Sequence, residues 1–424
     1  MLKQFVTVMP GTLPVALLVM SLGVMLDVGE GRDKPLSATW RRWGLLIGLL
    51  AAIVFGALRA TSVINQRSAV NFPVLMVAII ADIATIIAVA NSRRLAASAH
   101  WRQHAGLLNA ANAVAALCIA LATFYAVPDV ILQLTVFVEP GESPFTSEML
   151  LRALGFLLGV GMSIIVAAIC RSMRSTAYRQ TFTFAALVVV VLVTVQHLTA
   201  ILQIAQGGMV MLHGVAFRVL VWLINHGLWI VQAQAWVFVV PAIASIVAGM
   251  RMPLQGVDAA ESRKHRAFRR KAVGAAVWSL IAMIGVSLTL TVGVAATRQT
   301  VTLSPPESYS LKGGVATITF AQVSDGHLHR FQYKAKDGTV MRFIIIKKNG
   351  GAYGIGLDAC ENCGDAGYYE KDGKIICKKC DVAINLATIG FKGGCNPVPL
   401  PYKAGGGKIT IQTADLDALS AHFQ

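Results

Sequence analysis

Five of the seven cysteines in this 424-residue chain fall close together near its end, as Cys360-Glu-Asn-Cys363, Cys377-Lys-Lys-Cys380 and Gly393-Gly-Cys395-Asn-Pro397. A C-x2-C pair can present two thiolates to one ion from a single tight turn, and Gly364 after Cys363 gives that turn access to positive φ. Between the pairs runs Gly367-Tyr-Tyr-Glu-Lys-Asp-Gly-Lys-Ile-Ile376, whose Asp372-Gly373 predicts a β-hairpin. A hairpin brings its ends together, so the two pairs are expected to face each other, as in zinc ribbons and iron–thiolate sites. Disulfides are the competing chemistry in an oxidising compartment, and C-x2-C also serves thiol exchange. Five is an odd number: Cys395 is either left over from pairing or a fifth ligand that lets a cluster replace a single ion.

Two further sets of residues carry ligand chemistry. In Asp325-Gly-His327-Leu-His329 the histidines are two apart, a spacing that puts both on one face of a strand and makes them a candidate second metal site. The alternative is a surface pair. In the apolar part of the chain, His197, His213 and His226 fall towards one end of their segments, with Met209 and Met211 just before His213. Imidazole and thioether suit haem iron or soft metals, and interhelical hydrogen bonds are the competing role. Cys118 and Cys170 lie in apolar runs and read as packing residues.

The elements that must position these residues change character near residue 297. From Thr297 to Ser310 a polar linker carries Pro305-Pro306, and β signals follow. Val315–Val323 alternates, His329–Ala335 and Val340–Lys347 flank Lys336-Asp-Gly-Thr339, and Ala352–Leu357 leads into the first cysteine. Asn349-Gly-Gly351 reads as a further turn, and Lys408–Gln412 is a last short strand. The expected organisation is a helical membrane domain at 1–296 and a small β-rich, cysteine-rich domain at 297–424.

Composition supports that division. Hydrophobic residues make up 55% of the chain and charged residues 14%, against roughly 25% charged in soluble domains. Runs long enough to span a bilayer occur at 5–26, 43–64, 73–92, 106–127, 149–170, 183–206, within 216–250, and at 272–296, which makes eight. The stretch 209–250 is too long for one span and reads as an interfacial helix near 210–226 followed by a span near 229–250. No cleavable leader is evident at the start.

The net charge of +16 is placed in alternate loops. Arg32, Lys34, Arg41 and Arg42 follow span 1, Arg93, Arg94 and Arg102 follow span 3, and Arg171, Arg174 and Arg179 follow span 5. The richest loop, Arg251 to Lys271, follows span 7. This pattern orients helices and argues against nucleic-acid binding. It predicts an inner-membrane protein with both termini outside the cytoplasm, and a ninth span would put the most basic loop outside. Charges inside the spans are few, and Arg59 and Asp82 are placed to pair. No nucleophile triad, carboxylate pair or phosphate loop is present, so no conventional enzyme is assigned. The spans are also too poor in carboxylates for a permease pathway.

The stretches Asp325-Gly-His-Leu-His-Arg-Phe331, Leu357-Asp-Ala-Cys-Glu-Asn-Cys-Gly364, Ile376-Cys-Lys-Lys-Cys380 and Gly393-Gly-Cys-Asn-Pro-Val-Pro399 resemble the FtrD-like membrane iron–sulfur proteins. The resemblance covers roughly residues 300–420. It implies a membrane protein with an extracytoplasmic iron or iron–sulfur centre held by Cys360, Cys363, Cys377, Cys380 and Cys395. It also implies a role in electron transfer or metal handling beside the periplasmic iron-binding protein and permease of bacterial ferrous-iron uptake. The alternatives are a transporter or assembly factor with a structural zinc ribbon, and a membrane-anchored thiol–disulfide oxidoreductase.

Overall fold

The computed structural model describes the chain except residues 29–36, 65, 98–99, 138–144, 207–213, 298–301, 349–350, 362, 372–373, 380–381, 392–394 and 424. It divides into two units, Met1–Arg298 and Gln299–Gln424.

Among the described residues, the first unit holds eight helices long and apolar enough to cross a membrane. They are α1 (Leu2–Leu26), α2 (Ser37–Ala60), α3 (Arg67–Ala90), α5 (Ala105–Ile131), α6 (Ser147–Ser172), α7 (Arg179–Gln206), α9–α10 (Gly227–Trp236 and Val239–Arg251) and α11 (Ala259–Leu288). The short helices α4 (Ser92–Leu95), α8 (Gly214–Asn225) and α12 (Val294–Thr297) lie between or after them. The ambiguous stretch thus resolves into one short apolar helix and one span. The span is interrupted between α9 and α10, just before Pro241, which has no N–H to give to the carbonyl four residues back. The last span begins earlier than its apolar run: the Asp258 carboxylate accepts from Glu261 N at 2.6 Å and caps α11, so the basic run Arg263–Lys271 is helical.

α1 is the centre of the bundle, with Leu13, Leu17, Leu18, Leu22 and Met25 fully buried. Without a hydrophobic drive between helices in lipid, close approach through small residues supplies the packing. Gly44 and Gly48 lie on the α5 backbone, and Gly155 and Gly159 on that of α1. A Cβ at Gly159 would lie 2.8 Å from Phe5 O, whereas one at Gly161 meets nothing within 4 Å. Gly159→Leu is therefore expected to destabilise the bundle by about 1–3 kcal/mol and to lower its thermal-aggregation midpoint in detergent. Gly161→Leu is the matched control and should leave the midpoint unchanged.

The second unit contains ten strands among the described residues, in three antiparallel sheets. One has the order β1-β2-β10-β9, formed by Ser310–Lys312, Val315–Thr319, Lys408–Gln412 and Lys403–Gly405. A second joins β3 (His329–Lys334), β4 (Val340–Lys347) and β5 (Tyr353–Leu357). A third joins β6 (Tyr368–Lys371), β7 (Lys374–Cys377) and β8 (Ala383–Ile384). A short helix, α13 (Thr413–Asp417), follows β10. The middle sheet is buried on both faces. Phe331, Phe343, Ile345, Ile355 and Leu357 join Ile318, Ile409 and Ile411 in one core, whereas Ile344 and Ile346 join Tyr368, Ile375 and the cysteines in another. The apolar run Phe343–Ile346 can serve both because successive side chains of a strand point to opposite faces.

Candidate metal centre

The hairpin expected between the cysteine pairs is formed: Tyr368 pairs with Cys377 and Lys371 with Lys374. Asp372 and Gly373 at its tip lie outside the described residues. The first pair sits on a turn closed in both directions, with Cys360 N donating to Gly364 O at 3.1 Å and Gly364 N to Cys360 O at 3.0 Å. Gly364 adopts φ +64°, as the turn requires. Within this turn Cys363 N donates to Cys360 Sγ at 3.1 Å, a contact that favours a thiolate.

The sulfurs of Cys360, Cys363 and Cys377 all lie within 4.8 Å of one another. Cys360 and Cys377 are buried with Ile344, Ile346 and Ile375, and Cys363 and Cys395 pack against the same cluster. Cys380 lies outside the described residues. The hydrogen bond with Cys377, reinforced by burial, pushes the Cys360 thiol well above its ordinary range. Thiols this close resist ionising together in the absence of a cation, and a bound ion removes that resistance. One ion at about 2.3 Å from each sulfur in tetrahedral geometry puts the sulfurs about 3.8 Å apart. The donor set therefore fits a thiophilic metal.

A buried polar network fixes the frame of this site. Asp358, fully buried two residues before Cys360, accepts from Arg330 Nε at 2.8 Å and from Arg342 Nε at 3.0 Å. Its other oxygen accepts from Tyr368 N at 2.8 Å, while Arg330 also donates to Tyr368 O. Both backbone groups of Tyr368, the cross-strand partner of Cys377, are thus held from below. Its hydroxyl donates to Cys395 O at 2.7 Å, tying the third cysteine segment to the hairpin. Burial, with Cys360 beside it, raises the Tyr368 phenol so far that it stays a donor. Asp358 and Arg330 lie in the stretches that carry the family resemblance and Tyr368 in the hairpin between the cysteine pairs, and none of the three was read as part of the site. An acid two residues before the first cysteine pair was the available signal.

His327 and His329 are placed differently from the strand-face expectation. β3 begins at His329, and His327 precedes it in a turn. His329 is held through both ring nitrogens, Nδ1 to Glu307 and Nε2 to Asp325, each at 2.8 Å. His327 Nδ1 faces Glu370 at 3.0 Å. Burial opposes protonation of His329, but the hydrogen bonds to Asp325 and Glu307 outweigh it and raise its pKa. Hydrogen bonds from His329 and the His327 amide lower that of Asp325. A raised histidine pKa contributes stability that is complete below its ordinary 6.5 and is lost as pH rises through the folded value. A lowered carboxylate pKa contributes above its ordinary 3.8 and is lost on acidification. The cluster is therefore complete between those limits. The thermal midpoint of the protein should fall as pH rises from 6 to 9. His329→Gln should flatten that dependence and, at pH 6, destabilise by about 1–3 kcal/mol.

Within the bundle, His197 is buried and its Nδ1 lies 2.7 Å from Asp82 Oδ2. Asp82 Oδ1 accepts from the Cys118 thiol at 3.3 Å. The expected Arg59–Asp82 pair is not formed. Arg59 pairs instead with Asp129 at 2.8 Å, near the end of α5, and Asp82 faces α7. The ends of α2 and α5 come together where α3 begins, which leaves Asp82 a full half-helix away. His226 stacks on Trp222, with ring centroids 4.4 Å apart, and its Nδ1 meets Trp222 O at 2.8 Å. Met209, Met211 and His213 lie outside the described residues.

Comparison with known proteins bears on the C-terminal unit. No curated protein and no solved structure matches the chain. Residues 323–423, which contain all five clustered cysteines, match the family described as "Membrane iron-sulfur containing protein FtrD-like", and the C-terminal unit is similar to that family.

Proposed function

We propose that the C-terminal unit carries an iron–thiolate centre held by Cys360, Cys363 and Cys377, with Cys380 as a further ligand and Cys395 beside it. The protein is then a membrane-anchored carrier of single electrons, or of metal, in bacterial iron uptake. The observation that carries this reading is the gathering of three sulfurs within 4.8 Å in a buried, apolar setting. Iron in a thiolate site changes charge by one unit without exchanging ligands, which is the chemistry the centre supplies. The chain's own part is to hold the sulfurs: the closed turn at Cys360–Gly364 and the hairpin set their spacing, and the Asp358–Arg330 clamp on Tyr368 keeps the hairpin in register.

Eight spans and their charged loops support the setting of this reading. With the loops rich in Arg and Lys taken as cytoplasmic, both termini and the C-terminal unit lie outside the cytoplasm of an inner membrane in this proposal. There an iron-binding protein and an iron permease are the partners of this reading. Burial of Cys360 and Cys377 in a hydrophobic cluster also favours a second reading, a structural zinc ion that only folds the unit. The full-length protein, purified without oxygen, separates them. Iron at about one or more per chain with a thiolate-to-iron absorption that bleaches on reduction supports the first reading. Acid-labile sulfide adds a cluster to it. Stoichiometric zinc with no visible band establishes the second reading. A metal-free protein with titratable disulfides removes both.

A further inference from the structure

The membrane unit contains a cavity of about 620 Å³ between α1, α5, α7 and the α8–α9 corner, at the end of the bundle where the N-terminus packs against α12. Its walls are apolar, with Val15, Leu18, Val130, Val193 and Ile230 among them. Pro10 and Pro14 interrupt the α1 wall, and at Gly227 an added Cβ meets nothing within 4 Å. Against this background stand a few convergent polar groups: His197, Tyr125, Gln196 and Arg67.

These polar groups are arranged rather than scattered. The carboxylate of buried Asp82 holds Nδ1 of His197, and donation from Nδ1 to the carboxylate is the tautomer in which Nε2 of the neutral ring can accept. The Tyr125 ring and the imidazole meet at right angles with centroids 5.5 Å apart, and Arg67 stacks over Tyr125 at 5.8 Å. Gln196 accepts from Gln234 at 2.9 Å, which orients its amide nitrogen as a remaining donor. Arg59 and Arg67 share the carboxylate of Asp129, so these three groups together carry a net positive charge. A protein does not bury a His–Asp pair in a membrane bundle cheaply, and such a group is a functional candidate by default. The occupant such a site recognises is hydrophobic enough to arrive from the bilayer and flat enough to lie between helices. It also bears ring oxygens that both accept and donate hydrogen bonds. The volume is that of an ordinary small-molecule pocket with a few placed polar groups.

We propose that this cavity binds the headgroup of a membrane quinone or quinol. Nε2 of His197 accepts from a quinol hydroxyl, and Gln196 and Arg67 donate to the ring oxygens. The proposal concerns the membrane unit alone and does not depend on which metal the cysteines hold.

The test uses the full-length protein in nanodiscs of synthetic, quinone-free lipid. The probe is a photoreactive azidobenzoquinone with a short alkyl tail, and decylubiquinone is the competitor. Saturable labelling of about one per chain is expected, mapped to peptides of α1, α5, α7 or α9 and suppressed by competitor. His197→Ala and Gly227→Phe should each lower it at least tenfold. The second variant fills the cavity and leaves the His–Asp pair untouched, so it still reports if the first fails to fold. Labelling that does not saturate overturns the proposal, as does labelling equal in both folded variants. A stoichiometric haem absorption that is lost with His197 would assign the cavity to haem and overturn it as well.

Discussion

Cys377→Ser should reduce the metal content of the full-length protein from about one per chain to below roughly a tenth of that after dialysis against a mild chelator. A tetrahedral thiolate site contributes about 10–16 kcal/mol of apparent binding free energy in small metal-folded domains. Four ligands sharing it evenly bring about 2.5–4 kcal/mol each, roughly a hundred- to a thousand-fold in affinity. Cys360→Ser should match this loss, because the sulfurs of Cys360 and Cys377 share one buried cluster and one hydrogen bond. Cys170 supplies the control. It is buried in α6, in the membrane unit, and Cys170→Ala should keep the full metal load. Cys395→Ser probes the fifth sulfur: its contact with Tyr368 is made by the backbone carbonyl, so that anchor survives the change. Retention of metal in this variant makes Cys395 a neighbour, and loss makes it a ligand. Equal metal content in wild type and Cys377→Ser, measured by plasma emission on the same preparations, would remove the centre from these cysteines.

How much of this was legible beforehand depended on whether a feature is local. The spans could be read because bilayer thickness imposes a length of apolar helix, and the hairpins because Asp-Gly sets turn geometry. The convergence of Cys360 and Cys363 on Cys377 followed from the intervening hairpin for the same reason. Features set by distant partners were not legible. Asp82 was matched to Arg59, the nearest opposite charge within a span, but its partner is His197, more than one hundred residues away. The pairing of β2 with β10 joins the two ends of the C-terminal unit and has no local signal. The His327–His329 reading assumed a strand that begins two residues later, since Asp325 caps the turn by accepting from His327 N. The role of Asp358 was hidden for a related reason: its two arginines come from two other strands, β3 and β4.

That network leads to the other large effect expected. Asp358→Leu should destabilise the C-terminal unit by about 3–5 kcal/mol, since it strands the buried Arg330 guanidinium without its counter-charge. For a unit of this size the loss corresponds to a fall of roughly 10–20 °C in its thermal midpoint. Arg342 is a quarter exposed, so Arg342→Met leaves its partner paired with Arg330 and should cost far less. The two variants also separate stability from positioning. Asp358 holds the Tyr368 amide and Arg330 its carbonyl, and Tyr368 faces Cys377 across the hairpin. Loss of the clamp should therefore loosen the second cysteine segment before it unfolds the sheets. Hydrogen exchange of the full-length protein can resolve that order. Amides of residues 368–371 and 374–377 should lose protection in Asp358→Leu at temperatures where the pairing of β2 with β10 is still protected. In Arg342→Met both should remain protected. Simultaneous loss across all three sheets would make Asp358 a residue of general stability and leave the hairpin to be positioned by its own turn.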